Sequence, residues 1–146
     1  MVRDGHAVRI TTRSEDARAA IEASGAECWI GTPDRLATLR GSLDSVTILC
    51  WLLGCASGTE QELHALHGSR LEFFLTQAID TTVRGFVYEA RGSGSSAELV
   101  HDGAARVRAV TERNAIPTAF LGADPSNADA WLADASAAVA SLLMRA

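Results

Sequence analysis

Two histidines on one predicted helix are the side chains most typical of a metal site. His64 and His67 are three residues apart, so both lie on one helical face, with Glu62 close by. The spacing fixes no third ligand, because Cys50 and Cys55 lie on or just past a predicted strand. We therefore interpret these residues as a polar helix face with a partly buried histidine, and we predict no metal.

A second polar group follows the first predicted strand. Thr11 and Thr12 end that strand, and Arg13 and Ser14 come next, at the start of a predicted helix. The unpaired N–H groups of a helix N-terminus, together with hydroxyl side chains, can bind a phosphate group. Ser14 is equally suited to cap the helix beside a solvated Arg13. Both interpretations remain open from the sequence.

The basic residues and cysteines limit the chemistry. All thirteen basic residues are arginine, so every mechanism that needs a lysine amine is excluded. Cys28 and Cys50 lie in apolar strands, where a free thiol behaves as a small hydrophobic group, and no two cysteines have C-x-x-C spacing. An odd number of cysteines without a secretion signal predicts a cytoplasmic protein without a redox role.

Length and composition predict one globular domain over 1–146. The chain has 146 residues, of which 47% are hydrophobic and 21% charged. The net charge is -5 and the arginines are scattered, which argues against nucleic acid or a membrane surface as partner. The longest apolar stretch, 46–56, is too short to span a bilayer.

Short apolar runs alternate with helical patterns, which is typical of a doubly wound α/β sheet. The run from Val46 is apolar on both faces, as a central parallel strand must be. Five strands are predicted, over 7–11, 26–31, 46–54, 82–90 and 116–122. About five helices are predicted, over 14–25, 34–43, 59–79 and 97–114 and in the C-terminal segment.

Two of the predicted helices carry specific signals. Gly68 weakens the middle of the long helix over 59–79. The last helix is predicted to be capped by Asp124 or Ser126, with Pro125 in its first turn and Asp129 completing a Ser-x-x-Asp box.

The order of several segments resembles the atypical short-chain dehydrogenase/epimerase superfamily of NAD(P)-binding Rossmann proteins. GHAVRITTR, SGAECWIG and DRLATLRGSLDSVTILCWLLG resemble the second to fourth strands of that superfamily. RGFVYEARGSG resembles its fifth strand and IPTAFLGADP its sixth. The motifs are individually loose, and the match rests on their order and spacing over nearly the whole chain.

Compared with that superfamily, the sequence lacks the first strand and the G-x-G-x-x-G turn that binds pyrophosphate. Either the natural protein continues upstream by roughly the 30 residues of a βα unit, or the flanking strands pair directly. Direct pairing gives one five-stranded parallel sheet in the order 2-1-3-4-5. Gly92-Ser93-Gly94 precedes a helix, but we interpret it as a flexible loop and not as a replacement phosphate site.

The resemblance implies a cofactor site at two strand ends. Arg13 and Ser14 follow the strand where such proteins distinguish NAD from NADP, and they suit a 2′-phosphate, which favours NADP. Leu53, Gly54 and Cys55 end the strand beside which related proteins hold the adenine and nicotinamide ribose. Gly54 would let a ligand approach closely, although a structural turn explains it nearly as well.

Tyr88 is the only tyrosine and the only candidate for a catalytic acid. Active members of the superfamily use a Tyr-x-x-x-Lys pair on a helix, whereas Tyr88 lies on a predicted strand and Gly92 occupies the lysine position. Reductase chemistry by that pair is therefore excluded. We expect Tyr88 to line the crevice at the end of its strand, with catalysis as the lesser alternative.

These observations predict a Rossmann-like NAD(P)-binding domain without oxidoreductase activity as the chain stands. One alternative is a non-catalytic nucleotide-sensing or oligomerising module. Another is an NADP-dependent reductase or epimerase whose upstream βα unit is missing from this chain. The partner compatible with these observations is a small-molecule or nucleotide ligand, and the sequence leaves open whether the chain forms a homo-oligomer.

Overall fold

The computed structural model describes residues 1–92 and 96–145 and divides the chain into two compact units, 1–44 and 45–146. The described residues form five strands and five α-helices. Each unit contains its own parallel sheet, of two strands in the first unit and three in the second. The α/β class predicted from the alternating pattern is thus confirmed.

The first unit is a βαβ arrangement. Strands β1 (Arg9–Thr12) and β2 (Glu27–Ile30) pair in parallel, and helix α1 (Arg18–Ala23) lies between them in sequence. A short 3-10 turn precedes α1, and a 3-10 segment (Leu36–Leu43) takes the place of the helix predicted over 34–43. Gly25 follows α1 at φ +85, a left-handed conformation that side chains disfavour, so the predicted helix end is confirmed.

Arg9 ties β1 to the end of the 3-10 segment. Its guanidinium bonds the Glu27 carboxylate through Nε at 2.9 Å and Nη2 at 2.8 Å. Its Nη1 donates to the carbonyl oxygens of Ser42 at 2.7 Å and Asp44 at 3.0 Å. Because one planar group satisfies three acceptors, Arg9 organises the first unit without leaving a charge free for a ligand.

The second unit is built on the parallel sheet β3-β4-β5, with β3 over Ile48–Trp51, β4 over Gly85–Glu89 and β5 over Thr118–Leu121. Strand β4 is in the centre and every one of its residues is buried. The helices of this unit are α2 (Glu60–His67), α3 (Ser69–Ile79), α4 (Ala97–Arg113) and α5 (Ala128–Leu143). Helix α5 packs its buried face, which includes Ala135, Val139 and Leu142, against Val87 and Leu121 of the sheet.

The prediction of a single helix over 59–79 is wrong, because the helix is interrupted at Gly68 and two helices form. Gly68 has φ -114 and ψ -107, and a Cβ there would lie 2.6 Å from the carbonyl oxygen of His64. Only glycine fits this junction, so the residue that weakened the pattern separates α2 from α3. Helix α2 begins with a capping box, in which Thr59 and Glu62 bond each other's backbone N–H groups.

The cap predicted for the last helix is also wrong. The side chain of Asn127 accepts the N–H of Ala130 at 3.2 Å, and α5 begins at Ala128. Asp124 accepts both the N–H and the hydroxyl of Ser126, at 2.9 and 2.7 Å, so the two predicted caps form a turn before the helix. The Ser-x-x-Asp box ending at Asp129 therefore does not form.

The neighbours in the predicted order 2-1-3-4-5 are confirmed within each sheet, 2-1 in the first unit and 3-4-5 in the second. The pairing of the first strand with the third, and with it the single five-stranded sheet and the single domain, stays a prediction. No helix within residues 1–92 and 96–145 is long and apolar enough to cross a membrane.

Candidate functional site

The turn after β1 is held by its own hydroxyl groups. Thr12 Oγ1 accepts the N–H of Ser14 at 3.2 Å. Ser14 Oγ accepts the N–H of Asp16 at 3.2 Å and so caps the 3-10 turn that precedes α1, as one sequence interpretation predicted. Thr12 and Ser14 thus fix the backbone on both sides of Arg13.

Arg13 itself is exposed. Within the described part of the chain its guanidinium makes no hydrogen bond or ion pair, in contrast to Arg9 and Arg18 of the same unit. Arg18 bonds Glu15, which lowers the pKa of that carboxyl. Arg3, Arg35 and Arg40 of the first unit also make no such bond within the described residues. Arg13 differs from them because it lies directly after β1, on a turn whose backbone is already held. A guanidinium in this position can bind a phosphate through two parallel hydrogen bonds.

In the turn after β3, Gly54 is buried and is held from distant parts of the second unit. The N–H of Gly54 donates to Glu89 Oε2 at 2.7 Å, and its carbonyl oxygen accepts the hydroxyl of Ser96 at 3.1 Å. A Cβ at position 54 would collide with the carbonyl oxygen of Arg91 and lie 2.9 Å from Glu89 Cγ. The protein's own packing therefore requires this glycine, and its contact with a ligand stays a prediction.

Leu53 and Cys55 flank Gly54 in this turn. Leu53 is half-buried, whereas Cys55 is exposed and is a free thiol. The N–H and the carbonyl oxygen of Gly54 are both hydrogen-bonded within the protein, so a ligand at this turn would contact the Cys55 side chain and the exposed part of Leu53. The structure thus brings the three predicted residues together in one segment of the second unit.

Glu89 is the feature of this turn that sequence reasoning missed. Its side chain is 4% exposed, and its Oε1 accepts the indole Nε1–H of Trp131 at 2.8 Å while Oε2 accepts Gly54. A carboxylate at the end of an otherwise apolar strand, GFVYE, is the signal that could have pointed to it. Neither donor carries a charge, so the buried carboxylate depends on two aimed N–H groups.

An ion pair between Arg91 and Asp124, and the carboxylate of Asp134, lie at the carboxyl ends of β4 and β5. Arg91 Nη2 lies 2.9 Å from Asp124 Oδ2, and both side chains are about half exposed. Hydrogen bonds from Ser126, and then the Arg91 guanidinium, hold the pKa of Asp124 below its ordinary value. Asp134 accepts the N–H groups of Gly122 and Ala123, both at 3.0 Å. Polar groups at this end of the sheet are therefore mostly bonded to one another.

Tyr88 does not line a crevice, contrary to the expectation from the sequence, because it is fully buried. Its hydroxyl lies 2.8 Å from His67 Nδ1 and 3.3 Å from the carbonyl oxygen of Val100. A Cβ at Gly103 would collide with this hydroxyl. Burial, and then the nearby Glu89 carboxylate, raise the pKa of Tyr88 above its ordinary value. The phenol is a core group held by a histidine.

The three candidates for metal binding do not converge. His67 is 2% exposed and bonds Tyr88, His64 is exposed, and the carboxylate of Glu62 caps α2. Burial lowers the pKa of His67, and it raises the pKa of the Cys50 thiol to about 11. Among the described residues no group of three or more His, Cys, Asp or Glu could hold a metal.

Within Gly92-Ser93-Gly94, the last two residues lie outside the described part of the chain.

No protein-family model matches the chain, and no curated protein sequence matches it. Solved structures do. Triphenylmethane reductase from Citrobacter sp. is 17% identical with a TM-score of 0.59, and the alignment covers 77% of this chain and 38% of the reductase. The same reductase complexed with NADP(H) gives 20% identity, a TM-score of 0.59 and the same two coverages, 77% and 38%.

A third solved structure, gox2253, is 16% identical with a TM-score of 0.62, and the alignment covers 82% of this chain and 44% of that protein. The chain therefore spans about two fifths of the length of these proteins. At such identities the likeness concerns the fold. It confirms the Rossmann-like architecture that the sequence resemblance implied.

Proposed function

We propose that this chain is a Rossmann-like domain that binds NADP in preference to NAD, and that it carries out no oxidoreductase chemistry with its own residues. The observation that carries the proposal is Arg13, an exposed and unpaired guanidinium directly after β1. In Rossmann folds an arginine near this strand end accommodates the 2′-phosphate, whereas an acidic residue bonds the 2′-hydroxyl. A structure of the same fold has been solved with NADP(H).

The hydrogen bonds of Thr12 and Ser14 support this role. They fix the backbone around Arg13 before any ligand arrives, so less conformational entropy is lost on binding. They also mean that the two hydroxyl groups serve the turn first. We therefore assign the phosphate contact to the Arg13 guanidinium, with Thr12 and Ser14 as positioning residues.

The segment Leu53–Cys55 is the second proposed contact with the dinucleotide. Because Gly54 is held by Glu89 and Ser96, we assign it a scaffolding role, and the exposed Cys55 is the side chain available to a ligand. Alkylation of Cys55 in the presence and absence of NADP tests this assignment. Protection by NADP supports it, and an unchanged alkylation rate contradicts it.

The proposed lack of oxidoreductase activity is supported by two features. The chain has no lysine to pair with a tyrosine, and its one tyrosine is fully buried. The competing function is a reductase or epimerase whose remaining residues lie outside this sequence. Oxidation of NADPH by the chain, above the rate in buffer, with any carbonyl substrate or dye would contradict the proposed lack of activity.

We further propose that the two sheets join in the order 2-1-3-4-5 within a single domain. Trp29 lies in the first unit, and Trp51 and Trp131 lie in the second, so tryptophan-to-phenylalanine variants can report on each unit separately. One denaturant transition shared by both reporters supports a single cooperative domain. Two separate midpoints contradict it.

We also propose a cytoplasmic location, which the three free thiols support.

Calorimetric titration with NADP and NAD tests the central assignment. We expect the unaltered chain to bind NADP at least about tenfold more tightly, equivalent to ~1.4 kcal/mol. Arg13→Asp should remove this preference, and Arg3→Asp is the matched control because Arg3 is an exposed arginine of the same unit that precedes β1. Equal loss of both cofactors in Arg13→Asp, or no binding by the unaltered chain, contradicts the proposal.

A further inference from the structure

The turn after β2 is built like the turn after β1. Thr32 Oγ1 accepts the N–H of Asp34 at 3.2 Å and donates to Asp34 Oδ2 at 3.3 Å. Ser14 Oγ makes the same two bonds with Asp16, both at 3.2 Å. Each strand of the first unit therefore ends in a turn that is held by a hydroxyl group and carries a carboxylate that is already hydrogen-bonded.

An arginine adjoins each of these turns. Arg13 precedes the first turn and Arg35 follows the second. Both are exposed, and neither guanidinium makes a hydrogen bond or ion pair within the described residues. The backbone of Arg35 is held as well, because its N–H donates to the carbonyl oxygen of Thr32 at 3.0 Å and its own carbonyl oxygen accepts the hydroxyl of Thr38 at 2.6 Å. Arg35 thus repeats the combination found at Arg13, an unbonded guanidinium on a fixed backbone.

The two turns lie at the same end of the two-stranded sheet. Strands β1 and β2 are parallel, and the N–H of Gly31 donates to the carbonyl oxygen of Thr12 at 2.9 Å, so the two chains are there about 4.8 Å apart. Arg13 is next to Thr12, and Arg35 pairs with Thr32, which is next to Gly31. Because arginine carries its guanidinium on a long methylene stem, side chains from these two turns can reach one phosphate group.

We propose that Arg35 is a second specificity-determining residue for NADP, and that the guanidinium groups of Arg13 and Arg35 hold the 2′-phosphate between them. This inference rests on the proposed binding of NADP at Arg13. Two unbonded guanidinium groups at one end of a sheet repel each other, and a phosphate monoester, which carries more than one negative charge at pH 7, relieves that repulsion. The 2′-hydroxyl of NAD carries no charge, so Arg35 favours NADP in the same way as Arg13.

The position of Arg35 distinguishes it from two other arginines of the first unit. Arg3 and Arg40 are also exposed and make no hydrogen bond or ion pair within the described residues, but they lie toward the opposite end of the sheet. Arg3 precedes β1, and Arg40 is close to Ser42, whose carbonyl oxygen accepts Arg9 at the first position of β1. Of these three exposed arginines, only Arg35 lies at the carboxyl ends of the strands. Arg40, near the other end of the same 3-10 segment, is therefore a matched control.

Calorimetric titration with 2′,5′-ADP and 5′-AMP tests this assignment, because the two nucleotides differ only by the 2′-phosphate. We expect Arg35→Ala to weaken the binding of 2′,5′-ADP about fivefold and to leave the affinity for 5′-AMP unchanged. Arg35→Lys should weaken it less, since a positive charge remains without the planar fork of donors. Arg40→Ala should change neither affinity, and circular dichroism verifies that each variant is folded.

The possible results separate the role of Arg35 from the proposed function. If Arg13→Ala reduces the preference for 2′,5′-ADP and Arg35→Ala leaves it intact, the role of Arg35 is overturned while the NADP preference stands. Equal weakening of both nucleotides by Arg35→Ala, or an effect of Arg40→Ala as large as that of Arg35→Ala, also overturns it. Equal affinity of the unaltered chain for the two nucleotides contradicts the NADP preference itself, and the role of Arg35 falls with it.

Discussion

The turns after β1 and β3 both follow a parallel strand, yet they are stabilised in opposite ways. The first is held by hydroxyl groups two residues from their partners, and its Arg13 is exposed. The second is held by Glu89 and Ser96, which are 35 and 42 residues away from Gly54, and Gly54 is buried. One turn is stabilised by local contacts, and the other is stabilised by long-range contacts.

This difference suits the first turn to ligand binding and the second turn to stabilising the fold. A group that binds a ligand must have hydrogen-bonding capacity left over, and in the first turn Arg13 has it. In the second turn Gly54 has none left, so it serves the fold. Changes in the second turn should therefore alter the free energy of unfolding, while a change at Arg13 should alter cofactor preference and leave stability nearly unchanged.

Glu89→Ala should have the largest effect. It leaves the buried N–H of Gly54 and the part-buried indole N–H of Trp131 without an acceptor. A buried donor that loses its acceptor costs about 1 to 3 kcal/mol and a part-buried donor less, so we expect a loss of about 2 to 4 kcal/mol in the free energy of unfolding. Glu89→Gln keeps one acceptor oxygen and should cost less. Denaturant unfolding measures both, and a loss no greater for alanine than for glutamine contradicts the role of the two donors.

Gly54→Ala should destabilise the same turn by overpacking. The added methyl group collides with the carbonyl oxygen of Arg91, and such misfits cost about 1 to 3 kcal/mol. Gly122→Ala is a matched control at another strand end, because a Cβ there meets nothing within 4 Å. If Gly54→Ala unfolds at the same denaturant concentration as the control, the turn is looser than the structure indicates.

Tyr88, which precedes Glu89 on β4, should make stability fall at high pH. Burial raises its pKa, so the unfolded chain releases the phenolic proton before the folded chain does, and stability is lost as pH rises above about 10. Because the chain has one tyrosine, phenolate absorbance reports this residue alone. It should appear together with unfolding. Phenolate that forms near pH 10 in folded protein would contradict this burial.

Ser14→Ala should have a smaller effect on stability, because a lost N-cap costs about 0.5 to 2 kcal/mol and this one caps a short 3-10 turn. Affinity for NADP should fall modestly, since Arg13 then sits on a less ordered backbone. Ser24→Ala serves as the control, because the Ser24 hydroxyl bonds only Ile21 at the other end of α1. Equal effects of both changes on NADP affinity would remove the positioning role of Ser14.

The sequence pattern predicted most strands and helices, but it predicted fewer of the contacts that join them. Strand and helix positions follow from local alternation, and the Ser14 cap follows from one hydroxyl near a helix start. Gly68 and Asn127 show the limit of such reasoning, since an interrupted periodicity does not say whether a helix bends or ends, and several polar residues compete for one cap.

The candidate site divides in the same way. The position of Arg13 and its neighbours in the turn after β1 could be predicted because they are consecutive and lie next to a recognisable strand. Their contact with a cofactor stays a prediction. The role of Glu89 could not be predicted, because its two donors, Gly54 and Trp131, are 35 and 42 residues distant in the chain. Tyr88 was expected at a crevice for a related reason, as its partner His67 is 21 residues away on another element.

Phosphorus NMR of NADP is the most direct test that Arg13 binds the 2′-phosphate, because this phosphate gives a resonance separate from that of the pyrophosphate. We expect the unaltered chain to shift the 2′-phosphate resonance and Arg13→Ala to abolish this shift without changing the fold. A perturbation confined to the pyrophosphate, or an equal 2′-phosphate shift in both proteins, would contradict it.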